Sequence, residues 1–383
     1  MQETVFVVKV SKFCNLRCTY CYEHRELHVR DVMTGETLER LFAGVDAFGD
    51  ELCARGISPK FSFVWHGGEP LLLPPDYYRR ITELQQRHIR RYPYRNSAQT
   101  NLFGINTETV KRVIAAGWEI GVSIDFADRV RTNAGGRDSN EAVVTAAEAL
   151  RKSGVRFGAI SVLGAHNRDA LVAAYDWVSE FAEGWRILPV FAGAPEESLS
   201  RLQLSEEEVV RVFCELFERR ASAKMHIPIA PLDDYVKWAT LKIAGQRVMG
   251  DVLCDVLDNI FVINVNGDVF TRPFAYDRHL CLGNINSASM PKMLGSETYR
   301  SCRQKILGRK LSNCVECEYR GFCDTSPMHE HGSVTDNGRC VVARGTIQEI
   351  ERELTAAGID RAVIETWARQ ELPIPPLPRP VGA

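Results

Sequence analysis

The stretch CNLRCTYCY, residues 14–22, directs the interpretation of this chain, because it places Cys14, Cys18 and Cys21 within eight residues. It follows an apolar run that reads as the first strand. Three thiolates at these spacings can hold three irons of a cubane [4Fe-4S] cluster, and no fourth cysteine is close by. Structural iron–sulfur sites usually carry four cysteines, so the fourth iron would be open to a small-molecule ligand. Zinc completed by His24 is the alternative, although structural zinc prefers four closed ligands.

The composition bounds the class of protein. The chain has 383 residues, enough for two or three domains, with 45% hydrophobic and 25% charged residues, as in ordinary globular proteins. A net charge of −2 argues against nucleic acid or an anionic membrane as the main partner. No apolar run approaches the ~18 residues of a membrane span, and the N-terminus lacks the pattern of a signal peptide. We therefore expect a cytoplasmic protein with no nucleic-acid or membrane partner.

Apolar periodicity switches repeatedly between strand and helix over the first 225 residues. Strand-like runs lie at residues 5–10, 61–65, 96–100, 119–125, 156–163 and 185–190. Helical patterns lie at residues 38–48, 77–90, 108–116, 141–152 and 170–181. This alternation predicts parallel βαβ units with right-handed crossovers, and six strands are two fewer than a closed barrel needs. We therefore expect an α/β fold, a partial (β/α)6 TIM-like barrel, with the active site and the cysteine loop at the carboxyl ends of its strands.

The pattern changes after about residue 225. A helix over 232–244 precedes a hairpin whose Asn266-Gly267 pair predicts a type I′ turn. A cysteine-rich stretch and a helix over 345–356 follow. The predicted organisation is a barrel over 1–225, a linker helix over 226–250, a small cysteine-rich α+β domain over 251–345, a helical segment over 346–370 and a disordered proline-rich tail over 371–383.

The spacing C-x3-C-x2-C, with the aromatic Tyr20 before the last cysteine, resembles the signature of the radical S-adenosylmethionine (radical SAM) enzymes. The resemblance implies that the open iron is chelated by the amino and carboxylate groups of SAM. One electron from the reduced cluster would cleave SAM to methionine and a 5′-deoxyadenosyl radical. That radical would abstract a hydrogen atom from an unactivated C–H bond. By the same resemblance, Tyr20 would lie against the adenine.

A second element of this resemblance follows the second predicted strand. It is the run Gly67, Gly68, Glu69 and Pro70, which is similar to the SAM-binding GGEP element of the family. Two glycines allow backbone groups to approach a ligand closely, which suits the ammonium group of an amino acid. A simple turn between strand and helix is the alternative explanation of the glycine pair.

Polar side chains close the next two predicted strands. Asn101 and Ser123 offer an amide and a hydroxyl group that suit a ribose diol or the SAM carboxylate, with turn capping as the alternative. Asp125 resembles the aspartate of the family's SxDG stretch, although Phe126 stands where glycine usually follows. The resemblance implies a direct catalytic or substrate role for Asp125.

The late cysteines resemble the SPASM domain, an auxiliary iron–sulfur module of many peptide-modifying radical SAM enzymes. The resemblance is carried by Cys314, Cys317, Cys323 and Cys340, and upstream by Cys254 and Gly267. Arg272 and Pro327 occupy two positions where the pattern expects cysteine.

The resemblance implies that both lost positions serve the first auxiliary cluster, so one auxiliary [4Fe-4S] cluster is expected on the four complete ligands. Two alternatives stay open: Cys254, Cys281 and Cys302, with His279, could rebuild the other cluster, and the four retained cysteines also fit structural zinc.

These elements predict a radical SAM/SPASM maturase acting on a ribosomally made precursor peptide. The expected product is a C–C, C–N or thioether cross-link or a related oxidation. A reducing partner such as flavodoxin or ferredoxin is expected to supply the electron. Because the first predicted strand starts within five residues of Met1, a leader peptide would be held by the barrel, by the SPASM-like region or by a separate leader-binding protein.

Two other classes of function fit parts of the pattern. One is radical oxidation of a protein residue, as in sulfatase maturation, or of a small molecule such as an aminoglycoside. The other is a non-catalytic iron–sulfur or zinc protein. The open three-cysteine site and the GGEP run argue against the second class.

Overall fold

The computed structural model describes residues 2–190, 196–247, 259–271, 277–323, 340–359 and 361–369. The strands are β1 (Gln2–Ser11), β2 (Leu16–Cys18), β3 (Pro59–Gly67), β4 (Tyr94–Thr100), β5 (Trp118–Ser123), β6 (Arg131–Asn133), β7 (Gly158–Leu163), β8 (Trp185–Pro189), β9 (Ile229–Ala230), β10 (Ile260–Ile263), β11 (Asp268–Thr271) and β12 (Gly283–Asn284).

The helices are α1 (Gly35–Ala54), α2 (Pro75–His88), α3 (Thr107–Ala115), α4 (Asn140–Lys152), α5 (Arg168–Ala173), α6 (Tyr175–Phe181), α7 (Glu196–Leu202), α8 (Glu206–Ser222), α9 (Leu232–Ala244), α10 (Met290–Leu294), α11 (Glu297–Cys314), α12 (Val342–Ala356) and α13 (Arg361–Arg369). Strands and helices alternate along the chain as the sequence predicts. Among these helices, none combines the length and the apolar character needed to cross a membrane.

The chain divides into two compact units, each built from separate stretches of sequence. The first unit comprises Met1–Ser123, Arg131–Phe157 and Leu257–Lys305. Its sheet has the order β12-β11-β10-β1-β3-β4-β5. The strands from β10 to β5 are parallel, whereas β10, β11 and β12 form an antiparallel meander. The late hairpin therefore extends the sheet that begins with the first strand.

Apolar side chains on one face of this sheet form the core of the first unit. The rings of Phe6 and Phe63 stack with centroids 5.5 Å apart, and the rings of Trp65 and Trp118 continue the stack at 5.4 Å. Phe42 of α1 meets Phe63 edge-on at 5.6 Å. All five side chains are buried, so the helices cover this face while the alternate residues of each strand face away from it.

The second unit comprises Ile124–Val130, Gly158–Val256 and Ile306–Ala383. Its parallel strands have the order β7-β8-β9, and α9 packs against α12 and α13. Helix α8 begins with a complete capping box between Ser205 and Glu208, which satisfies backbone donors at its first turn. The second unit thus combines the last parallel strands with the helices that carry and surround the late cysteines.

The predicted α/β class is confirmed, since all six predicted strands are present and the parallel strands are consistent with a partial (β/α)6 TIM-like barrel. The predicted helix over 170–181 is instead two helices, α5 and α6, which meet at Ala174. The type I′ turn is also wrong. Four residues separate β10 from β11, and Gly267 (φ 90°) has a positive φ whereas Asn266 does not. A type I′ turn needs both.

Candidate functional site

The first cysteine loop lies between β1 and α1. Within it, β2 pairs antiparallel with β6, which anchors the middle of the loop. The backbone N–H of Cys14 donates to Leu27 O (3.1 Å), and that of Cys21 donates to Cys18 O (3.1 Å). Cys14 is buried, and Cys18 and Cys21 pack against the same apolar cluster of Cys14, Leu16 and Leu27. The structure therefore brings the three predicted ligands into one apolar region.

The donor set of this loop fits an iron–sulfur cluster. Among the residues that the structure describes, no three His, Cys, Asp or Glu side chains converge closely enough to hold a single metal ion. The cysteine ligands of a cubane bind different irons, so they need not converge on one point. Near Cys14, the Leu16 N–H lies 3.4 Å and the Asn101 amide nitrogen 3.5 Å from Sγ. Such donors are the kind that tune cluster sulfurs.

Burial sets the protonation of the thiols in the chain without cofactors. It raises the pKa of Cys14 to about 11 and the pKa of Cys21 to about 12. Metal ligation requires the thiolate, so loading of the site releases protons.

The glycines of the GGEP run are required by contacts within the protein. Gly68 N–H donates to Ser11 O (2.8 Å), and Glu69 N–H donates to Phe13 O (2.9 Å). A Cβ at Gly68 would lie 2.3 Å from Phe13 O, and a Cβ at Gly67, which has φ 135°, would lie 2.2 Å from Ser11 O. Close approach of β3 to the start of the cysteine loop therefore explains both glycines. Their role in SAM binding stays a prediction.

Glu69 is a buried connector between three segments. Its Oε1 accepts from Leu71 N–H and from the Thr100 hydroxyl, both at 2.9 Å, and its Oε2 accepts from Asn101 N–H at 2.6 Å. The side chain is 1% exposed, and burial raises the pKa of Glu69 to about 7 although these donors and Arg131 lower it. Glu69 thus joins the end of β3 to the end of β4. Pro70 begins the short 3₁₀ turn that Glu69 caps.

Asn101 extends this connection to the cysteine loop. Its side-chain nitrogen donates to Asn15 Oδ1 (2.9 Å) and lies beside Cys14 Sγ, and its Oδ1 accepts from Phe103 N–H (2.8 Å). Ser123 lies at the end of β5, where its hydroxyl accepts from Gln99 Nε2 (2.8 Å). The structure therefore brings Asn101 to the predicted cluster, whereas the contact of Ser123 is with β4. Tyr20 is partly buried in the turn before Cys21.

A charged group beside this site carries no motif and was not predicted from the sequence. Lys9 of β1 is 6% exposed and forms an ion pair with Glu23, two residues after Cys21. His66 lies opposite Lys9 in the register of β1 and β3. Burial and then the charge of Lys9 lower the pKa of His66 to about 4. A lysine inside the apolar run FVVKV was the signal that could have revealed this group.

Asp125 belongs to the second unit and is held by backbone of that unit. Its carboxylate accepts from Val162 N–H (2.7 Å), and its carbonyl accepts from the Asn167 side chain (2.9 Å). It is 2% exposed. The next residue, Phe126, has φ 55° and its ring meets the ring of Trp177 edge-on at 5.4 Å. These contacts position the strand end, and a direct catalytic role for Asp125 stays a prediction.

The late cysteines lie at the end of α11 and just beyond it. Cys317 N–H donates to Cys314 O (3.3 Å), and Cys323 N–H donates to Tyr319 O (3.0 Å). Cys340 N–H donates to the side chain of Asn313 (2.8 Å), directly before Cys314. The structure therefore places the backbone of Cys340 beside the residue that precedes Cys314. All four cysteines are partly exposed.

The alternative second auxiliary site has a different setting. Cys302 is fully buried on α11, and Cys281 donates to Gly283 O at 3.4 Å. Cys254, one ligand of that alternative, lies outside the described residues, as do Arg272 and Pro327, where the SPASM pattern expects cysteine.

Two family models match parts of the chain. Residues 8–178 match the model of the radical SAM superfamily, and residues 254–318 match the model of an iron–sulfur cluster-binding domain, SPASM. The serine-type anaerobic sulfatase-maturating enzyme of Bacteroides thetaiotaomicron is 26% identical over 362 residues, which cover 87% of this chain and 84% of that enzyme.

Two solved structures resemble this fold over most of the chain. Native anSMEcpe with bound AdoMet has a TM-score of 0.73 at 18% identity, covering 96% of this chain and 100% of that one. SuiB of Streptococcus suis bound to the precursor peptide SuiA has a TM-score of 0.57 at 12% identity, covering 78% and 66%. At these identities the similarity shows a shared fold.

Proposed function

We propose that this radical SAM enzyme, whose chain carries both the radical SAM domain and the SPASM domain, abstracts hydrogen from a residue of a ribosomally made peptide or protein. The radical SAM domain implies a [4Fe-4S] cluster and SAM, and the SPASM domain implies auxiliary iron–sulfur clusters. A peptide substrate is supported by the similar fold of SuiB bound to its precursor peptide and by the likeness to a sulfatase-maturating enzyme along most of the chain.

The connection from Cys14 through Asn101 to Glu69 is the observation that carries the proposal. Cys14, Cys18 and Cys21 would hold the cluster, which would bind SAM at its open iron and supply the electron that cleaves SAM to methionine and a 5′-deoxyadenosyl radical. Asn101 would orient Cys14 through its amide nitrogen. Glu69 would keep the ends of β3 and β4 beside the loop. Buried Leu16 and Leu27 around the cysteines would exclude water from the cluster.

One auxiliary cluster is the expected content of the second cysteine segment. Cys314, Cys317, Cys323 and Cys340 would hold it, with Asn313 placing Cys340. A cluster with four cysteine ligands has no open iron, which favours electron transfer over substrate binding. The segment would therefore accept the electron that remains after product formation.

Two products fit the proposed reaction. A cross-link between peptide residues is favoured by Arg272 and Pro327, which replace two cysteines of the SPASM pattern. Oxidation of a single side chain is favoured by the likeness to the sulfatase-maturating enzyme over 84% of that enzyme's length. Both reactions remove hydrogen from the peptide, so mass alone does not separate them.

The test is anaerobic incubation of the reconstituted enzyme with SAM, a reductant and candidate peptides. Reduced flavodoxin or ferredoxin would serve as the electron donor. We expect 5′-deoxyadenosine, and a peptide that has lost two hydrogen atoms. An aldehyde-specific reagent would label a side-chain aldehyde, whereas a cross-link would suppress the fragment ions between the joined residues. Absence of 5′-deoxyadenosine under every reducing condition would contradict the radical assignment and favour a non-catalytic iron–sulfur protein.

A further inference from the structure

Each of the two cysteine segments is approached by a lysine from another element of its own unit. In both cases the lysine meets a glutamate and a tyrosine that immediately follow a predicted cluster ligand. Cys21 is followed by Tyr22 and Glu23, and Cys317 is followed by Glu318 and Tyr319. The same three side-chain types therefore recur at two separate cysteine segments.

In the first unit, the group consists of Lys9, Tyr22 and Glu23, here named the Lys9 tether. Lys9 projects from β1, forms an ion pair with Glu23, and lies with Nζ 4.9 Å from the centroid of the Tyr22 ring. The side chain of Lys9 is 8% exposed and that of Glu23 is 17% exposed. A charge pair this far from water connects the strand to the end of the cysteine loop.

In the second unit, the group consists of Lys242, Glu318, Tyr319 and Glu351, here named the Lys242 tether. Lys242 Nζ lies 2.6 Å from Glu318 and 3.0 Å from Glu351, and 4.2 Å from the centroid of the Tyr319 ring. The Tyr319 hydroxyl donates to Glu351 at 2.7 Å. Lys242 belongs to α9 and Glu351 to α12, so two helices hold the segment that carries Cys317.

The geometry points to Lys9 and Lys242 as positioning residues that each hold one iron–sulfur segment in its ligating conformation. This inference rests on the cluster ligands assigned under the proposed function. Neither lysine is placed to bind iron, because an ammonium group has no acceptor. Each acts through the residues that follow a cysteine.

The physical reason is that both segments have little regular structure of their own. The Cys14–Cys21 loop contains one three-residue strand, and Cys317 to Cys323 lie in consecutive turns. Contacts that orient metal ligands are typically worth ~10–100-fold in metal affinity. Removal of one member of a buried pair leaves the other charge uncompensated, and in the Lys9 tether that charge is the Glu23 carboxylate near the thiol of Cys21. The Lys242 tether is more exposed, with 41% exposure of the Glu318 side chain, so its variant should have the smaller effect.

The experiment compares Lys9→Met and Lys242→Met in the full chain after anaerobic reconstitution with iron and sulfide. Methionine retains the apolar stem of lysine and removes the charge. Iron retained after desalting is counted, and the reduced clusters are examined by electron paramagnetic resonance with and without SAM. Only a cluster with an open iron can bind SAM, so only its resonance should change when SAM is added. The two clusters are therefore distinguished in one sample. Lys152→Met, which removes an exposed ion pair with Glu148 (3.7 Å), is the matched control.

We expect each variant to affect one cluster. Lys9→Met should weaken retention of the SAM-responsive cluster by ~10-fold or more and leave the other signal intact. Lys242→Met should show the reverse, and Lys152→Met should match the wild type. Loss of the same cluster in both lysine variants, or of neither cluster, would overturn the inference.

General unfolding is separated from positioning by two further variants. Glu23→Gln removes the charge of the Lys9 partner and keeps its shape, and Tyr319→Phe removes only the hydroxyl that donates to Glu351. Each should reproduce the cluster-specific loss of its tether, and Tyr319→Phe, which leaves the ion pairs in place, should do so while the melting temperature of the chain without cofactors stays at the wild-type value. A loss that always accompanies a lower melting temperature would assign these groups to general stability and overturn the positioning role.

The wild type separates this inference from the proposed function. Iron uptake by the wild type without any SAM-responsive signal would contradict the proposed function. The iron retained by the two lysine variants would still show whether each lysine positions its cysteine segment. A SAM-responsive wild type whose lysine variants retain all their iron would contradict the tethers alone.

Discussion

The two cysteine segments differ in how far apart their cysteine ligands lie along the sequence. Cys14, Cys18 and Cys21 lie within eight residues, in a loop whose apolar cluster is buried. The second segment gathers Cys314 at the end of α11 and Cys340 just before α12, and its cysteines are partly exposed. The first site is therefore local, with one buried and two partly exposed cysteines. The second depends on a hydrogen bond that the Cys340 N–H donates to the distant side chain of Asn313.

Removal of the local site should have the largest effect. The combined variant Cys14→Ala, Cys18→Ala and Cys21→Ala should abolish 5′-deoxyadenosine formation, because no thiolate remains to hold the cluster whose open iron would bind SAM. It should keep about four irons per chain, the content of one cubane. Chromatographic detection of 5′-deoxyadenosine and iron analysis would check both results. Cys214→Ala on α8 is the control. A triple variant that still cleaves SAM would show that the first cysteine segment does not hold the SAM-binding cluster.

Removal of the distant ligand should affect the other cluster alone. Cys340→Ala should reduce the iron content from about eight to about four per chain, at four per cubane, and keep the SAM-responsive resonance. Asn313→Ala should show a partial loss, because Cys340 retains its thiol and loses its backbone anchor. Iron analysis after desalting is the measurement. Full iron in Cys340→Ala would mean that another group completes the second site.

The buried carboxyl of Glu69 should make the first unit sensitive to pH. Burial raises its pKa from 4.5 to about 7, so the folded chain favours the protonated form. The resulting stabilisation is fully present below pH 4.5 and is lost as the pH rises through 7. The loss amounts to roughly 3 kcal/mol at 1.36 kcal/mol per pKa unit.

Urea denaturation of the chain without cofactors at several pH values would test this. Glu69→Gln should remove that part of the pH dependence between pH 4.5 and 7, whereas Glu83→Gln on the exposed face of α2 should retain it. If the unfolding free energy of Glu69→Gln changed with pH as steeply as that of the wild type, the assignment of this titration to Glu69 would be refuted.

The close approach of β3 to the cysteine loop should be sensitive to a single methyl group. Gly68→Ala places a Cβ 2.3 Å from Phe13 O, which forces the backbone apart and should cost about 1–3 kcal/mol of unfolding free energy. Gly308→Ala in α11 is the matched control, since its Cβ meets no atom within 4 Å and should stabilise the helix by about 0.5–1 kcal/mol. Equal stability of the two variants, measured by urea denaturation, would show that the loop yields to the methyl group.

The apolar periodicity of the sequence was sufficient to predict the main strands and helices. All six predicted strands are present, and α9 spans Leu232–Ala244 as expected, because alternation and helical spacing report directly which face is buried. The failures are at connections. The joint between α5 and α6 at Ala174 and the four residues between β10 and β11 are set by tertiary contacts that leave no periodic signal.

For the candidate site, the sequence identified the groups and the structure assigned their partners. The GGEP glycines were expected to admit a ligand. In the structure, the atoms that a Cβ at these positions would approach most closely are backbone oxygens of Ser11 and Phe13. Lys9 was missed because a single charge in an apolar strand carries no motif. Its significance appears only when Glu23 returns to meet it.

The sequence by itself determined the α/β class, the open three-cysteine motif and the four-cysteine set near the C-terminus, because these depend on residue type and on spacing along the chain. The tertiary structure decided that the hairpin of β10 and β11 extends the sheet at β1. It also decided that Glu69 reaches Asn101, that Asn101 reaches Cys14, and that Cys340 lies beside Asn313. These contacts join residues far apart in the chain, and their energies come from burial and hydrogen bonding that exist only once the strands are paired.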